Sequence, residues 1–587
     1  MKQFFKFMFA SCLGSALMLI ILFVAMIWVI GSSSKSTVTV KPKSVLYMNL
    51  NYEIPERTTD DDLTATLMGL QNSNTDQSGL NDIIANIDEA KNDPNIRGIF
   101  LELSSVGTST ANIEELRHHI ISFRESGKFV ITYSETMAQN AYYLATAGDE
   151  IYINPDGMLD IHGMASQIMF YKNLLDKLDI EIQIIRGPNN KFKSAVEPYF
   201  LDKMSAANRE QMTKLLNTMW FKVVSDISES RNISIAKINE LADNLSLTFD
   251  AKVALNEGFV DGLAYRDEII ARIKDLAGIE KSKKINVLTN SQYASARPEP
   301  KVKSDKIALI YANGQIIDGN GDDSTIGSIT LSKAIREARE NKSVKAIVMR
   351  VNSPGGSALA SEVIRREVEL AKAEKPFIIS MGSYAASGGY WISTEGDRIF
   401  ADPTTLTGSI GVFGTFPNAK KFLNETVGLT FDVVKTNENA DFGSITEPLT
   451  DYQKKMLQKY VGNTYNDFTS LVARTRGLRQ SYVDSIGQGR VWAGTDALEL
   501  GLVDELGGLD KAIEYAAKQA DLTDYSIKNY PKQKDLMEML LSGDIQEPYA
   551  KSLIKNKLGK NYSYLETVDN ISRLDGVQAL MPFMIVE

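Results

Sequence analysis

With 587 residues, 43% of them hydrophobic and 24% charged, the chain has the make-up of a protein that buries two or three large cores, or about four average ones. Its formal net charge of −10, with no basic stripe carrying interleaved aromatics, excludes a nucleic-acid binder. A single cysteine (Cys12) and three histidines (His118, His119 and His162) cannot build a disulfide or a Cys/His metal site, and they leave few histidines for a Ser-His-Asp triad.

In chain order, the first feature is an uncharged apolar run from Phe7 to Ile30, preceded by Lys2 and Lys6. It is long enough to cross a bilayer core with some tilt. A cleavable leader would have an apolar stretch of about 7 to 15 residues and then a small-x-small site. This run is longer and ends in Trp28-Val29-Ile30, so an uncleaved transmembrane signal anchor (about 7–30) is predicted, with residues 1–43 forming tail, anchor and stalk. Lys35, Lys41 and Lys43 on the far side nearly balance the N-terminal charges and leave the orientation open on charge alone.

From Ser44 the chain runs twice through one pattern. Residues 96–163 lie on 344–411 without a gap: Ile96 on Val344, Phe129 on Phe377, Tyr142 on Tyr390, Gly163 on Gly411. With small shifts, Asn51 meets Asn313, and Ala254 to Asp261 meets Ala497 to Asp504. Such self-similarity predicts two tandem copies of one fold, at 44–280 and 306–530, joined by a linker at 281–305 and followed by an extension at 531–587. Within each copy, apolar runs such as Ile99–Leu103 and Ile347–Val351 alternate with amphipathic helices, the βα alternation of an α/β domain. The helix expected at Ser361–Lys375 would turn Val363, Ile364, Val368 and Leu370 inward. The apolar end of the extension, Met581 to Val586, is expected to lie against another protein surface.

The second copy holds three small-residue turns in order: Ser353-Pro354-Gly355-Gly356 after a buried strand, Gly382 to Trp391, and Gly408-Ser409-Ile410-Gly411. Glycines at the first turn let a substrate carbonyl approach backbone N–H groups, which makes it a candidate oxyanion site. Ser409 between glycines has the room a nucleophile needs. In the repeat register Ser409 falls on Ile161, and Ser353 to Gly356 falls on Ser105-Val106-Gly107-Thr108, so the first copy lacks both features.

The motifs NSPGGS (352–357), YAASGGYW (384–391), TGSIG (407–411) and GRVWAG (489–494) together resemble the crotonase-like serine peptidases, the superfamily shared with Clp peptidase. Within it the chain is similar to the signal peptide peptidase A (protease IV) family in its long, double-domain form, over roughly residues 45–530. The resemblance implies two tandem crotonase-like (Clp peptidase-like) α/β domains after an N-terminal transmembrane helix. It also implies a membrane-anchored serine endopeptidase that degrades remnant signal peptides and other apolar peptides. The catalytic domains would face the periplasmic or outer side of a bacterial inner membrane, in a homotetramer that needs no cofactor.

A serine hydroxyl needs a base within hydrogen-bond reach. The family's lysine motif matches Lys193-Ser194-Ala195-Val196-Glu197-Pro198 in the first copy, where the second has Gly443-Ser444-Ile445-Thr446-Glu447-Pro448. Copy one therefore keeps a lysine without a serine, and copy two a serine without that lysine: one dyad, Ser409 as nucleophile and Lys193 as general base and acid, split across two copies. Lys191 and Lys435 are rivals for the base. Gly356, and second to it the Ser409 N–H itself, are the expected oxyanion donors. Ser353, Ser357, Ser383 and Ser387 are expected to be turn or packing residues, and His162 structural. Two other readings share the glycine turn: an acyl-CoA enzyme of crotonase type and a non-catalytic membrane scaffold.

Overall fold

A computed structural model describes residues 38–58, 77–297, 302–532 and 576–582, with isolated residues between 13 and 21 and the pair 585–586. The predicted anchor at 7–30 lies largely outside them. No helix among the described residues is long and apolar enough to cross a membrane.

The two copies fold alike. In the first, parallel strands run in the order Gly262–Leu263, Glu150–Asp160, Phe129–Ala138, Ile96–Glu102, Ser44–Asn49, Val287–Thr289. In the second, Glu505–Leu506, Arg398–Ala401, Phe377–Ala386, Val344–Ser353, Lys306–Asn313 and Ser526–Tyr530 take the same order, also parallel. Helices recur in register: Thr110–Glu125 matches Ala358–Lys372, and Ala206–Arg231 matches Asp451–Arg476. Parallel strands buried on both faces read as continuous apolar runs, and this one does. Ile347 and Met349 enter the large core on one face, while Ala346 and Val348 enter a smaller one on the other. Each fully buried aliphatic side chain contributes about 2 kcal/mol by leaving water.

Three expectations change. Residues 281–284 of the linker are exposed, but the first copy continues past them: Val287–Thr289 pairs with Ser44–Asn49 and Asn290–Ala296 forms a helix whose Tyr293 is buried in the first core. Alternation of only three residues gave too short a pattern to read. In helix Ala358–Lys372, Ile364 and Val368 are buried as expected, but Val363 is exposed, because the core-facing stripe runs through Ser361, Ile364, Arg365 and Val368. In the apolar C-terminal segment Met581 is buried against its own chain, clustered with Ala386, Leu406 and Val491, and Ile585–Val586 pairs with Ser166–Gln167; Phe583 and Met584 lie outside the described residues.

The copies are clamped by Arg350, a fully buried side chain on a central strand of the second sheet. It donates to Glu56 (2.9 Å), Glu115 (2.8 Å) and Asn112 (3.3 Å), all of the first copy. Replacing it strands two buried carboxylates, a loss of about 3–5 kcal/mol. Arg350→Met is therefore expected to lower the thermal unfolding transition by several degrees and to diminish activity with it. An unfolding curve superimposable on the parent's would show that the clamp contributes nothing.

Candidate active site

A third sheet, of six strands, joins the copies. Strand Glu181–Arg186 of the first copy runs antiparallel to Phe413–Asn418, the strand that follows the Ser409 loop, over six residue pairs from Phe413↔Arg186 to Asn418↔Glu181. The chain leaving Arg186 then turns directly into the lysine loop. Phe192 N–H donates to Gln488 O (3.0 Å), while Gln211 Nε2 donates to Phe192 O (3.1 Å) and Ser194 Oγ (2.8 Å). Gln211 Oε1 accepts from Val491 N–H (3.3 Å) and so ties the lysine loop to the second copy. The Glu197 carboxylate accepts from Ser205 Oγ (2.6 Å), Ser205 N–H (3.2 Å) and Asn208 Nδ2 (2.9 Å), which holds the other end of the loop on helix Ala206–Arg231.

These ties bring Lys193 to Ser409 within one chain. Nζ lies 3.0 Å from Ser409 Oγ, 3.0 Å from Ser409 O and 2.8 Å from Ser387 Oγ. Lys193 is 1% exposed and Ser409 is 0% exposed. Burial alone pushes the Lys193 amine well below its ordinary lysine value, since no carboxylate lies against it to favour the charged form. A neutral amine has two N–H groups and one lone pair, and three oxygens surround this one. Its N–H groups can serve the Ser409 carbonyl and Ser387 Oγ while its lone pair faces the Ser409 hydroxyl, which is the arrangement a general base requires.

The rivals are placed elsewhere. Lys191 is exposed, pairing with Glu210 at 3.7 Å, and Lys435 pairs with Asp441. His162 Nδ1 sits 2.9 Å from Asp160 in the first copy, without a contact to Ser409. Ser353 Oγ accepts from Gly355 N–H (3.2 Å), Ser357 caps helix Ala358–Lys372 through Ala360 N–H (3.2 Å), and Ser383 bonds Ser109 (2.6 Å), all structural as expected.

Ser387 departs from its expected packing role by entering the lysine's coordination. Both serines carry backbone angles unusual for a side-chain residue: Ser409 at φ 50°, Ser387 at φ 55°, ψ −111°. Such conformations cost about 1–3 kcal/mol each and persist where the surroundings impose them. The signal in the sequence was the turn Ala385-Ala386-Ser387-Gly388-Gly389, whose geometry local residue types did not reveal.

For the oxyanion donors the outcome is divided. Ser409 N–H, the second donor expected, is bonded to Arg490 O (2.7 Å) and does not face the cleft, a correction imposed by the pairing of Leu406–Gly408 with Val491–Ala493. Gly356 sits in strand Gly355–Ser357, and its N–H lies beside Gly388: a Cβ built on Gly388 would be 3.1 Å from it. Gly355 has φ 102°, which other residues rarely adopt, and a Cβ there would be 2.8 Å from Gly388 N. Gly356 and Gly388 thus line one small cradle, and the Gly388 N–H is a second candidate donor there that the sequence reading missed.

Comparison with known proteins bears on what this geometry does. The sequence pattern of Peptidase family S49 matches residues 122–280 and 369–523, one match in each copy. The chain is similar to "Protease 4" of Salmonella typhi, 38% identical over 81% of this chain and 77% of that protein. The chain belongs to peptidase family S49. Two further relatives in line with the S49 membership are "Protease 4" of Haemophilus influenzae, 35% identical over 81% of this chain and 79% of that one, and "Serine protease SPPA, chloroplastic" of Arabidopsis thaliana, 30% identical over 88% and 77%. As an S49 member the chain is a serine peptidase with two tandem α/β domains, and peptides are its substrates.

Proposed function

We propose that the protein is a membrane-anchored endopeptidase that degrades apolar peptides, the remnants of cleaved signal peptides among them, with Ser409 as nucleophile and Lys193 as general base and acid. The observation that carries the reading is the 3.0 Å separation between the buried Lys193 amine and Ser409 Oγ, with no histidine or carboxylate sharing the contact. In this mechanism Ser409 Oγ attacks the peptide carbonyl as Lys193 takes its proton. The oxyanion gathers the Gly356 and Gly388 N–H groups. Lys193 then gives the proton to the leaving amine, and an ester to Ser409 remains. Water, deprotonated by the same amine, hydrolyses that ester and restores both residues. Ser387 keeps the amine aimed by accepting one of its N–H groups.

The uncharged run Phe7–Ile30 supports a membrane anchor, and the likeness to the bacterial relatives supports a bacterial inner membrane with the two domains on its outer side, which would bring the cleft to lipid-held substrates. A homotetramer around a membrane-facing cavity is part of the same reading. To test it, full-length protein in carbonate-washed membranes is given a synthetic signal peptide and a hydrophilic peptide of equal length. Faster cleavage of the apolar peptide, in the membrane fraction, is the expected result. Protein found wholly in the wash, or turnover of acyl-CoA thioesters instead of peptides, would overturn the reading.

A further inference from the structure

The motif Gly489 to Gly494 has no part in the chemistry described so far, yet its start runs between the two halves of the dyad. On the serine side, Arg490 O accepts from Ser409 N–H (2.7 Å), Gly489 N–H donates to Ile410 O (2.8 Å), and Gly489 O lies 3.3 Å from Ser409 Oγ. On the lysine side, Gln488 O accepts from Phe192 N–H (3.0 Å), and the Lys193 stem crosses Gly489 so closely that a Cβ there would stand 2.5 Å from the Lys193 Cβ. Gly489 also has φ 83°. The position is closed to a side chain twice over, by its backbone angle and by the lysine lying on it. The segment touches both loops at once.

The Arg490 side chain adds a tie that its carbonyl cannot. Its guanidinium lies over the Phe192 ring, 4.5 Å from the centroid, and over the Trp492 ring at 4.4 Å. Nη1 donates to Glu210 Oε1 (2.9 Å) on helix Ala206–Arg231, whereas the buried Nε has no hydrogen-bond partner among the described residues. This arginine is held by two rings and one carboxylate, and stacking on rings is what a planar guanidinium does and a lysine ammonium does not. Phe192 is buried and immediately precedes Lys193, so what fixes the ring fixes the start of the lysine stem. Trp492 is anchored in turn, its Nε1 donating to Ile486 O (2.9 Å) and its backbone pairing with Thr407, two residues before Ser409. Lys191 also lies over the Phe192 ring (4.6 Å), but it is exposed and its pull is weakened by solvent.

Resting on the Ser409–Lys193 reading, we propose that Arg490 is a positioning residue for the dyad: its carbonyl anchors Ser409 in the second copy, its guanidinium clamps Phe192 of the first, and one residue thereby sets the distance between nucleophile and base. Among the described residues no hydrogen bond joins the guanidinium to Lys193 Nζ or Ser409 Oγ, so its effect passes through Phe192. Loss of the guanidinium leaves the carbonyl in place, because the pairing of Leu406–Gly408 with Val491–Ala493 holds it, but it frees the ring. Misplacing a reacting pair by about 1 Å costs on the order of 10²-fold in rate. A loosened loop also admits water to the amine, and its proton affinity then returns toward the ordinary lysine value.

Arg490→Met, Phe192→Leu and the double variant, each in the full-length chain, test this through steady-state hydrolysis of an apolar peptide and the pH dependence of fluorophosphonate labelling. Arg490→Met is expected to lower kcat about 30- to 100-fold with KM within about twofold of the parent, and to move the labelling inflection up by about one pH unit. The double variant should lose no more than the larger of the two single ones, because both remove the same contact. Should Arg490→Met fold poorly by circular dichroism, Arg490→Lys carries the test: it keeps a cation beside the rings without the plane, and should show the same kcat loss and pH shift at smaller size. A parent-like kcat and inflection in a folded Arg490 variant, a loss carried by KM alone, or additive losses in the double variant would overturn the inference and leave Ser409 and Lys193 in their roles. If instead Lys193→Met is labelled as the parent is, the dyad reading fails and this inference with it.

Discussion

Ser409→Ala will lose peptide hydrolysis by a factor on the order of 10⁴ or more while folding as the parent does. The substitution removes one oxygen from a buried loop. The corresponding position in the first copy already holds an apolar side chain, Ile161, with 0% exposure, so the fold does not need a hydroxyl there. Ser387→Ala offers the contrast: it deletes a contact of the amine and not the attacking atom, so a smaller loss is expected. Steady-state hydrolysis of an apolar peptide, alongside circular dichroism, reads both. Activity of Ser409→Ala within tenfold of the parent would move the nucleophile elsewhere.

Lys193→Met is expected to cost about 10³-fold or more in activity and, at neutral pH, to raise the unfolding temperature. The sign of the second effect follows from burial. The folded state holds this amine neutral, with its affinity for protons depressed, whereas in the unfolded chain it titrates near the ordinary value of about 10.4. Between the two values the unfolded state binds the extra proton, so the parent's stability rises with pH across that window and the penalty is absent above it. The stabilising effect of Lys193→Met should therefore shrink as pH climbs toward about 10. A gap independent of pH, by paired thermal melts, would show that Lys193 is charged in the folded protein.

The tandem fold was legible because gapless repetition of 96–163 in 344–411 carries strand order with it: copies that share every turn share one topology. The dyad was legible from the family's lysine motif at Lys193 together with complementary loss, Ile161 against Ser409 and Gly443 against Lys193, which needs no distance. What stayed hidden is non-local. Glu181–Arg186 alternates like any strand, but nothing in its residues says that it pairs with Phe413–Asn418 of the other copy and so delivers the lysine loop. The Ser409 N–H looked free because its acceptor, Arg490 O, lies 81 residues along the chain. Gly576–Leu580 is too short to read as a strand, and only its pairing with Gly355–Ser357 on one side and Phe413–Asn418 on the other makes it one. Arg350 reads in sequence as a charge misplaced in a buried strand until Glu56 and Glu115 of the first copy are set against it.

The central claim is that Lys193, neutral and in the same chain, activates Ser409. Its most direct measurement is the rate at which a fluorophosphonate labels Ser409 as a function of pH, in the parent and in Lys193→Met, Lys191→Ala and Lys435→Ala. Labelling in the parent should rise with pH to a plateau, through an inflection well below the ordinary lysine value, because only the deprotonated amine accepts the serine proton. The Lys191 and Lys435 variants should keep that curve, and Lys193→Met should lose the labelling at every pH. A parent curve retained in Lys193→Met, or abolished instead by Lys191→Ala or Lys435→Ala, would contradict the account.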